Sequence, residues 1–464
     1  IPREEQRSSK IAFDVGPAPA AHAPSVKSVG ITGQLTGSRA DLIVADDVES
    51  LNNSLTQVMR DKIQETIKEF DAVLKPDGRI VYLGTPQTEM SIYNVLPERG
   101  YEIRIWPARV PTEKMRSAYG SRLAPYIQEK CEANPVGTPV DSHRFDDIDL
   151  KEREASYGKS GFALQYMLDT TLSDVGRYPL KLRDLIVHPL DTQVASPKLT
   201  WASSPELEWK DLEAPGLAGD RFYRPMEVAE GHQKYTGAVM SIDPAGMGKD
   251  ETAYAVVKIL NGQLFVTASG GLLGGYTPPV LKQLALVARQ QKVNQIIVES
   301  NFGDGMFSQL LKPVLAEDVG YPCTVEEIRH NQMKERRIID TLEPLMNTHR
   351  LILDKSVIEG DVVKGTFKSL DEHARESLVS PADSILYSLC YQMSRITFEK
   401  GSLRHDDRLD ALAIACGYWV EQMESHVDRA VADYREELID KELEKFMESH
   451  GNLWGHGPGA ATWM

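Results

Sequence analysis

From Thr236 onward the chain passes through three apolar segments, a helical repeat and a fourth apolar segment, an order that restricts it to a few mixed α/β architectures. Ala238-Val239-Met240-Ser241-Ile242 reads as a strand, Thr252 to Ile259 as its hairpin partner and Gln263 to Ala268 as a third strand. Pro278 to Gln291 has helical periodicity, Gln295-Ile296-Ile297-Val298 reads as a fourth strand, and Asp406 to Met423 as a later helix.

Each of three acidic positions sits at the end of one of these apolar elements. Asp243 closes the first strand, Glu299 closes the fourth, and Asp406 with Asp407 opens the late helix. Any one of them is an ordinary strand end, or a helix start favoured by the helix dipole. Together they can converge at one sheet edge, where their mutual repulsion calls for hard divalent cations such as Mg²⁺ or Mn²⁺. Two such ions activate water for in-line attack at a phosphodiester, so phosphodiester hydrolysis is the expected chemistry. Asp406 and Asp410, four apart, share a helix face, while Asp407 is turned about 100° away. Asp406 is thus the favoured ligand, joined by Asp410. His405 is open to three roles: ligand, phosphate contact or turn residue. Replacing Asp243 or Glu299 should abolish cleavage and leave the fold intact if these groups face solvent. Lys334, Arg336, Arg337, Arg395, Lys400, Arg404 and Arg408 form a candidate phosphate-binding patch. The segment Asp243 to Asp250 imitates a P-loop but lacks its first Gly and its final Ser or Thr.

The first half reads as strand, helix, strand: Asp41 to Ala45, Gln57 to Val73, and Arg79 to Leu83. Leu42-Ile43-Val44-Ala45-Asp46-Asp47 has the form of a Walker B strand, and Gly84-Thr85-Pro86 ends its neighbour with a hydroxyl placed to sense a γ-phosphate. No GxxxxGK[ST] occurs in the 464 residues, so this stretch alone should not hydrolyse ATP.

At roughly 100–200 residues per domain, a 464-residue chain holds two or three. The expected division is 1–189, 190–235 as a proline-broken connector, 236–425, and an acidic helix with a glycine-rich tail over 426–464. No apolar run reaches the about 20 residues of a bilayer span, and no membrane association is expected. Four widely spaced cysteines favour a reducing compartment over a disulfide framework or structural zinc. Ile1-Pro2-Arg3 offers neither an initiator Met nor a signal-peptide core, as in a chain that continues upstream. A net charge of -16 opposes indiscriminate polyanion binding, so contact with nucleic acid needs metal ions or a local basic surface.

The strand and helix order of the second half resembles an RNase H-like sheet. Further stretches match in order along most of the chain: residues 36–47, Tyr82 to Pro86, Gly161 to Leu168, Ser241 to Gly246, Val298 to Asn301 and His405 to Leu412. In these the chain resembles the large terminase subunit of tailed bacteriophages, with wording close to the DNA maturase B of short-tailed phages. The resemblance implies an α/β chain: a P-loop-type ATPase domain lacking its front portion, then an RNase H-like mixed-sheet nuclease. It assigns Asp46 to Mg²⁺-ATP, Asp47 to catalysis and Thr85 to coupling. Asp243, Glu299 and Asp406, with Asp407 or Asp410, would hold two nuclease metals. Asp47 stands where the family usually has Glu, and Glu49 is a possible substitute. Implied partners are double-stranded DNA, the small terminase subunit and the portal of a procapsid, on which about five copies form a ring. The place of action would be the host cytoplasm, outside the mature virion. A stand-alone nuclease of resolvase or transposase type and a non-enzymatic portal adaptor are the alternatives.

Overall fold

Two parallel strands with a helix crossing between them organise the first half of the computed structural model. They are β1 (Ala40–Asp46), α1 (Gln57–Val73) and β2 (Leu74–Leu83). The Thr56 hydroxyl caps α1 by accepting from Met59 N at 3.2 Å. Ile63, Ile67 and Phe70, three and four apart, form one helical stripe that packs on Ile43, Ala45, Ile80 and Tyr82. The alternate residues Leu42, Val44, Val81 and Leu83 face outward, from 42 % exposed at Val81 to 57 % at Leu42. The structure describes residues 6–18, 23–31, 33, 37–171, 176–217, 219–246, 250–300, 305–362 and 384–423. The expected acidic helix and tail over 426–464 lie outside them.

The second half is built on one seven-stranded sheet. Its strands are β3 (Ile186–His188), β4 (Gly237–Asp243), β5 (Thr252–Leu260), β6 (Gln263–Leu272), β7 (Gln295–Glu299), β8 (Thr324–Ile328) and β9 (Leu351–Asp354). They lie in the order β8-β7-β4-β5-β6-β9-β3. β5 runs antiparallel to both its neighbours, and the remaining pairings are parallel. The consecutive hairpins β4-β5-β6, with β7 added in parallel beyond β4, reproduce the RNase H-like order read from the sequence, and β8, not read there, extends the sheet past β7.

Helices cover both faces, which is why β4 and β5 are apolar almost throughout. On one side α2 (Pro278–Gln290) presents Leu281, Leu284 and Ala288 to Met240, Ile242 and Val256. On the other, α3 (Lys334–Asn347), α4 (Lys355–Val362), α5 (Leu389–Arg395) and a helix over residues 407–423 (α6) enclose Val239, Ala255 and Val257. Helix α6 begins one residue later than expected. Asp406 is its cap, with a carbonyl that accepts from Asp410 N at 2.8 Å. The proline-rich stretch near 190–234 is more ordered than its sequence suggests. It forms two short antiparallel ladders, Val194–Ala195 with Gln233–Lys234 and Leu199–Thr200 with Glu227–Val228, that seat Ala195 and Leu199 on Leu260, Phe265 and Ile352. Among the described residues no helix is long and apolar enough to cross a membrane.

Candidate metal centre

Because β4 and β7 are parallel neighbours in the register Ile242↔Val298, their next residues, Asp243 and Glu299, emerge side by side at the same sheet edge. Helix α6 packs over this edge and adds Asp410 from its first full turn. One ligand oxygen from each of Asp243, Glu299 and Asp410 lies within 4.8 Å of the others. Asp406 is tied to the same group through Lys334. The Lys334 Nζ stands 2.9 Å from Asp406 Oδ1, 2.9 Å from Asp410 Oδ2 and 3.5 Å from Asp243 Oδ2. Arg337, one turn further along α3, reaches Asp410 Oδ1 at 2.6 Å and Glu299 Oε1 at 3.4 Å. His330 Nδ1 approaches the same Glu299 oxygen at 3.3 Å.

Four carboxylates against two permanent cations leave this pocket electron-rich. Burial, reinforced by Asp410, Asp407 and Glu299, outweighs Lys334 and holds the Asp243 carboxyl well above the usual range. Burial also raises Asp410. Glu299 goes the other way: burial pushes it up, but the His330 hydrogen bond and the charges of Arg337 and Lys334 bring it below its ordinary value. Burial would lower the Lys334 ammonium, yet Asp243, Asp410 and Asp406 together raise it. Donors that are all oxygen, at least three carboxylates within one ion's reach and a side-chain ammonium already between them fit a hard divalent cation.

The start of α6 is held by contacts with no local signature in the sequence. The Arg408 guanidinium forks onto Glu251, with Nη2 3.1 Å from Oε2, and its Nη1 lies 3.3 Å from Asp361. All three side chains are 3 % exposed or less. Asp361 also accepts from Ser388 Oγ, Leu389 N and Cys390 N, capping α5. Ser241 of β4 donates to the Ala411 carbonyl, and Gln392 Oε1 accepts from Leu409 N at 3.0 Å. Gly271 has no room for a side chain, since a Cβ there would sit 1.9 Å from the Glu251 carboxyl carbon.

Asp407 does not join Asp243. It lies with Asp250 and His405, one ligand atom of each being within 4.8 Å of the others. Burial drives its carboxyl up to about 8. Two expectations need correction. Of the expected phosphate-binding residues, Lys334 and Arg337 are held by the acids and Arg395 and Arg408 are buried, whereas Arg336, Lys400 and Arg404 are exposed. A guanidinium drawn into an interior needs acidic partners to offset its desolvation. Nor are all the acids at a solvent-facing edge, since Glu299 is 3 % and Asp410 0 % exposed.

In the first half, Asp46 pairs in register with Leu83, and Asp47 N donates to the Leu83 carbonyl at 2.9 Å. Asp46, Asp47, Gly84 and Thr85 therefore stand together at the carboxyl ends of two parallel strands. Glu49, the possible substitute for Asp47, is buried, and its oxygens accept from Gln87 N at 3.0 Å and Ile92 N at 2.8 Å.

A mixed sheet of this order, with acids converging at its edge, defines a divalent-metal-dependent nuclease with an RNase H-like fold. Residues 242–351 match the family described as Terminase Bacteriophage T7, Ribonuclease H-like domain. Over 459 residues the chain is 43 % identical to the large terminase subunit of Enterobacteria phage T3, covering 97 % of this chain and 76 % of that subunit. The chain belongs to the terminase large subunit family. Among solved structures it is similar to the human cytomegalovirus terminase nuclease domain, at 12 % identity, TM-score 0.27, 39 % of this chain and 82 % of that one. It is also similar to the large terminase nuclease of thermophilic phage G20c, at 11 % identity, TM-score 0.26, 52 % of this chain and 97 % of that one.

Proposed function

We propose that the chain cuts double-stranded DNA at Asp243, Glu299 and Asp410, with Asp406 beside them, as the nuclease of a viral DNA-packaging terminase. The position of Lys334 carries this reading: its ammonium lies between Asp243, Asp406 and Asp410, where a divalent ion has its donors. Divalent ions held by these acids would supply an activated water and stabilise the leaving 3′-oxygen. Asp243, Glu299 and Asp410, each with an oxygen within 4.8 Å of the others, would hold the ion. His330 and Arg337 orient Glu299. Release of Lys334 from the acids frees an ammonium for a phosphate oxygen. All-oxygen donors favour Mg²⁺ at this position.

Asp46, Asp47 and Thr85 are assigned to a nucleotide site that drives DNA translocation, with Asp46 holding Mg²⁺ and Asp47 the attacking water. Their place at the carboxyl ends of parallel strands, where α/β sheets bind ligands, supports this. So does the bare apolar face of β1 and β2, because parallel strands are ordinarily covered on both sides. The nuclease unit is taken to begin near Ile186, whose strand pairs with β9, ahead of the boundary at 236. The partners proposed are DNA, the small terminase subunit and a procapsid portal carrying a ring of copies, in the host cytoplasm.

Incubating the chain with supercoiled plasmid tests the nuclease. Nicking with Mg²⁺ or Mn²⁺, abolished by chelator and by Asp243→Asn, is expected. Equal nicking by the variant, or none with any divalent ion, would remove the assignment.

A further inference from the structure

The edge of β6 that faces β9 is paired for only part of its length. β9 meets it from Leu264 to Val266, while β6 runs on to Leu272 with β5 on its other side. Among the described residues, a cavity of about 210 Å³ lies between this remainder of the strand, α4 and the end of α2. A β-bulge opens it: Val256 faces Ala268 and Val257 faces Val266, which leaves Thr267 as the extra residue. Gly270 and Gly271 continue the wall as bare backbone, and a Cβ at Gly270 would stand 3.1 Å from the Tyr254 hydroxyl. Thr267 Oγ1, Ser269 Oγ and Gln291 Oε1 are shielded and lack a hydrogen-bond partner, with Thr267 and Gln291 each 8 % exposed. Unpaired buried polar atoms are costly, and a turn about χ1 brings either hydroxyl to a ligand. The charges at the cavity, by contrast, are matched already. Asp361 accepts from Ser388 Oγ, Leu389 N, Cys390 N and Arg408, and Arg408 forks onto Glu251.

We infer that this cavity binds an uncharged nitrogen heterocycle of nucleobase size, which hydrogen-bonds through its polar edge to Thr267, Ser269 and Gln291. A charged ligand would lose its hydration there with no counter-charge to replace it. Val287, Val357 and Leu389 add apolar surface suited to the faces of a flat ring. The volume falls below the roughly 300 Å³ at which pockets for drug-sized ligands begin, so one ring system is the fitting size. A free nucleoside and an unpaired base of a DNA strand share this chemistry. The ligand would sit beside Arg408 and Asp361, which fix the first turn of α6, so its binding would be coupled to the placement of Asp406 and Asp410. That consequence rests on the nuclease reading; the binding itself does not.

The test is isothermal titration of the full chain in chelator, with adenosine and cytidine as probes. At least one should bind, and the double variant Thr267→Val, Ser269→Ala should weaken it about tenfold, the loss of one or two hydrogen bonds. Its melting temperature should stay at or above the wild-type value, since each change removes an unpaired hydroxyl. Gln291→Met, on a different element, should weaken the same probe. No binding of either nucleoside, binding unchanged in both variants, or displacement of the probe by ribose alone overturns the inference. Displacement by an oligonucleotide duplex with an unpaired end assigns the site to DNA, and no displacement assigns it to the free nucleoside. Titration in chelator reads binding without cleavage, so failure of the nuclease reading shows separately, as plasmid nicking that Asp243→Asn does not change.

Discussion

Asp243 and Asp410 offer oxygens to the same small space, yet their side chains differ in what holds them. Asp243 is 14 % exposed, and its nearest cation, Lys334, is shared with two other acids. Asp410 is fully buried and takes the Arg337 guanidinium at 2.6 Å. Removing one partner of a buried pair strands the other charge, at a cost of about 3–5 kcal/mol, whereas an isosteric amide at a crowded anionic position relieves repulsion. Asp410→Ala should therefore lower the melting temperature of the metal-free protein by roughly 10 °C, and Asp243→Asn should leave it nearly unchanged or raise it. Equal melting temperatures for the two variants in chelator, measured by calorimetry, would show that Arg337 has a sufficient second partner in Glu299. Asp410 was legible in the sequence as the i+4 companion of Asp406. Its greater depth was not, because depth is decided by how α6 lies on the sheet.

Helix α6 delivers the acids only if its first turn is fixed, and the Arg408 fork does this from beneath. Lysine at that position keeps the charge but offers one compact ammonium where Glu251 and Asp361 receive a planar, multidentate donor. Arg408→Lys should destabilise the protein by about 3 kcal/mol and reduce nicking more than it reduces DNA binding. A variant with wild-type melting temperature and wild-type nicking would make the fork dispensable. At this scale the sequence revealed the elements that carry their own pattern: the apolar runs of β4, β5 and β7 and the stripe of α2. It did not reveal β3 or β9, three and four residues long, too short for any period to register. Helix α3 was missed as well, since Pro344 and a charged first turn blur its repeat, and with it went the placement of Lys334 and Arg337. Glu251 and Arg408 are 157 residues apart, and neither has a neighbour in sequence that hints at the other.

Across the whole molecule the two halves meet close to the nuclease acids. Gln57 N, at the start of α1, donates to the Ser402 carbonyl at 3.1 Å, and Glu89 lies 3.5 Å from Arg395, so the segment leading into α6 is braced by the half proposed to bind nucleotide. The composition sets a second constraint at this scale. The chain carries a net charge of -16, and the three cations nearest the acids are already engaged: Lys334 and Arg337 by the acids, Arg408 by Glu251. DNA approaching this edge without metal meets concentrated negative charge in a partly desolvated pocket, where repulsion is stronger than in water. A divalent ion held by these acids would offset that charge and free Lys334 for the backbone. Affinity for a DNA duplex at fixed ionic strength should therefore rise at least tenfold, about 1.4 kcal/mol, when chelator is replaced by Ca²⁺. Asp243→Asn in the same fluorescence-anisotropy titration should lose most of that gain while binding somewhat better than wild type in chelator, because it removes one repelling charge. Binding that ignores Ca²⁺ in both proteins would mean that the duplex is held elsewhere on the molecule and reaches the acids only after docking.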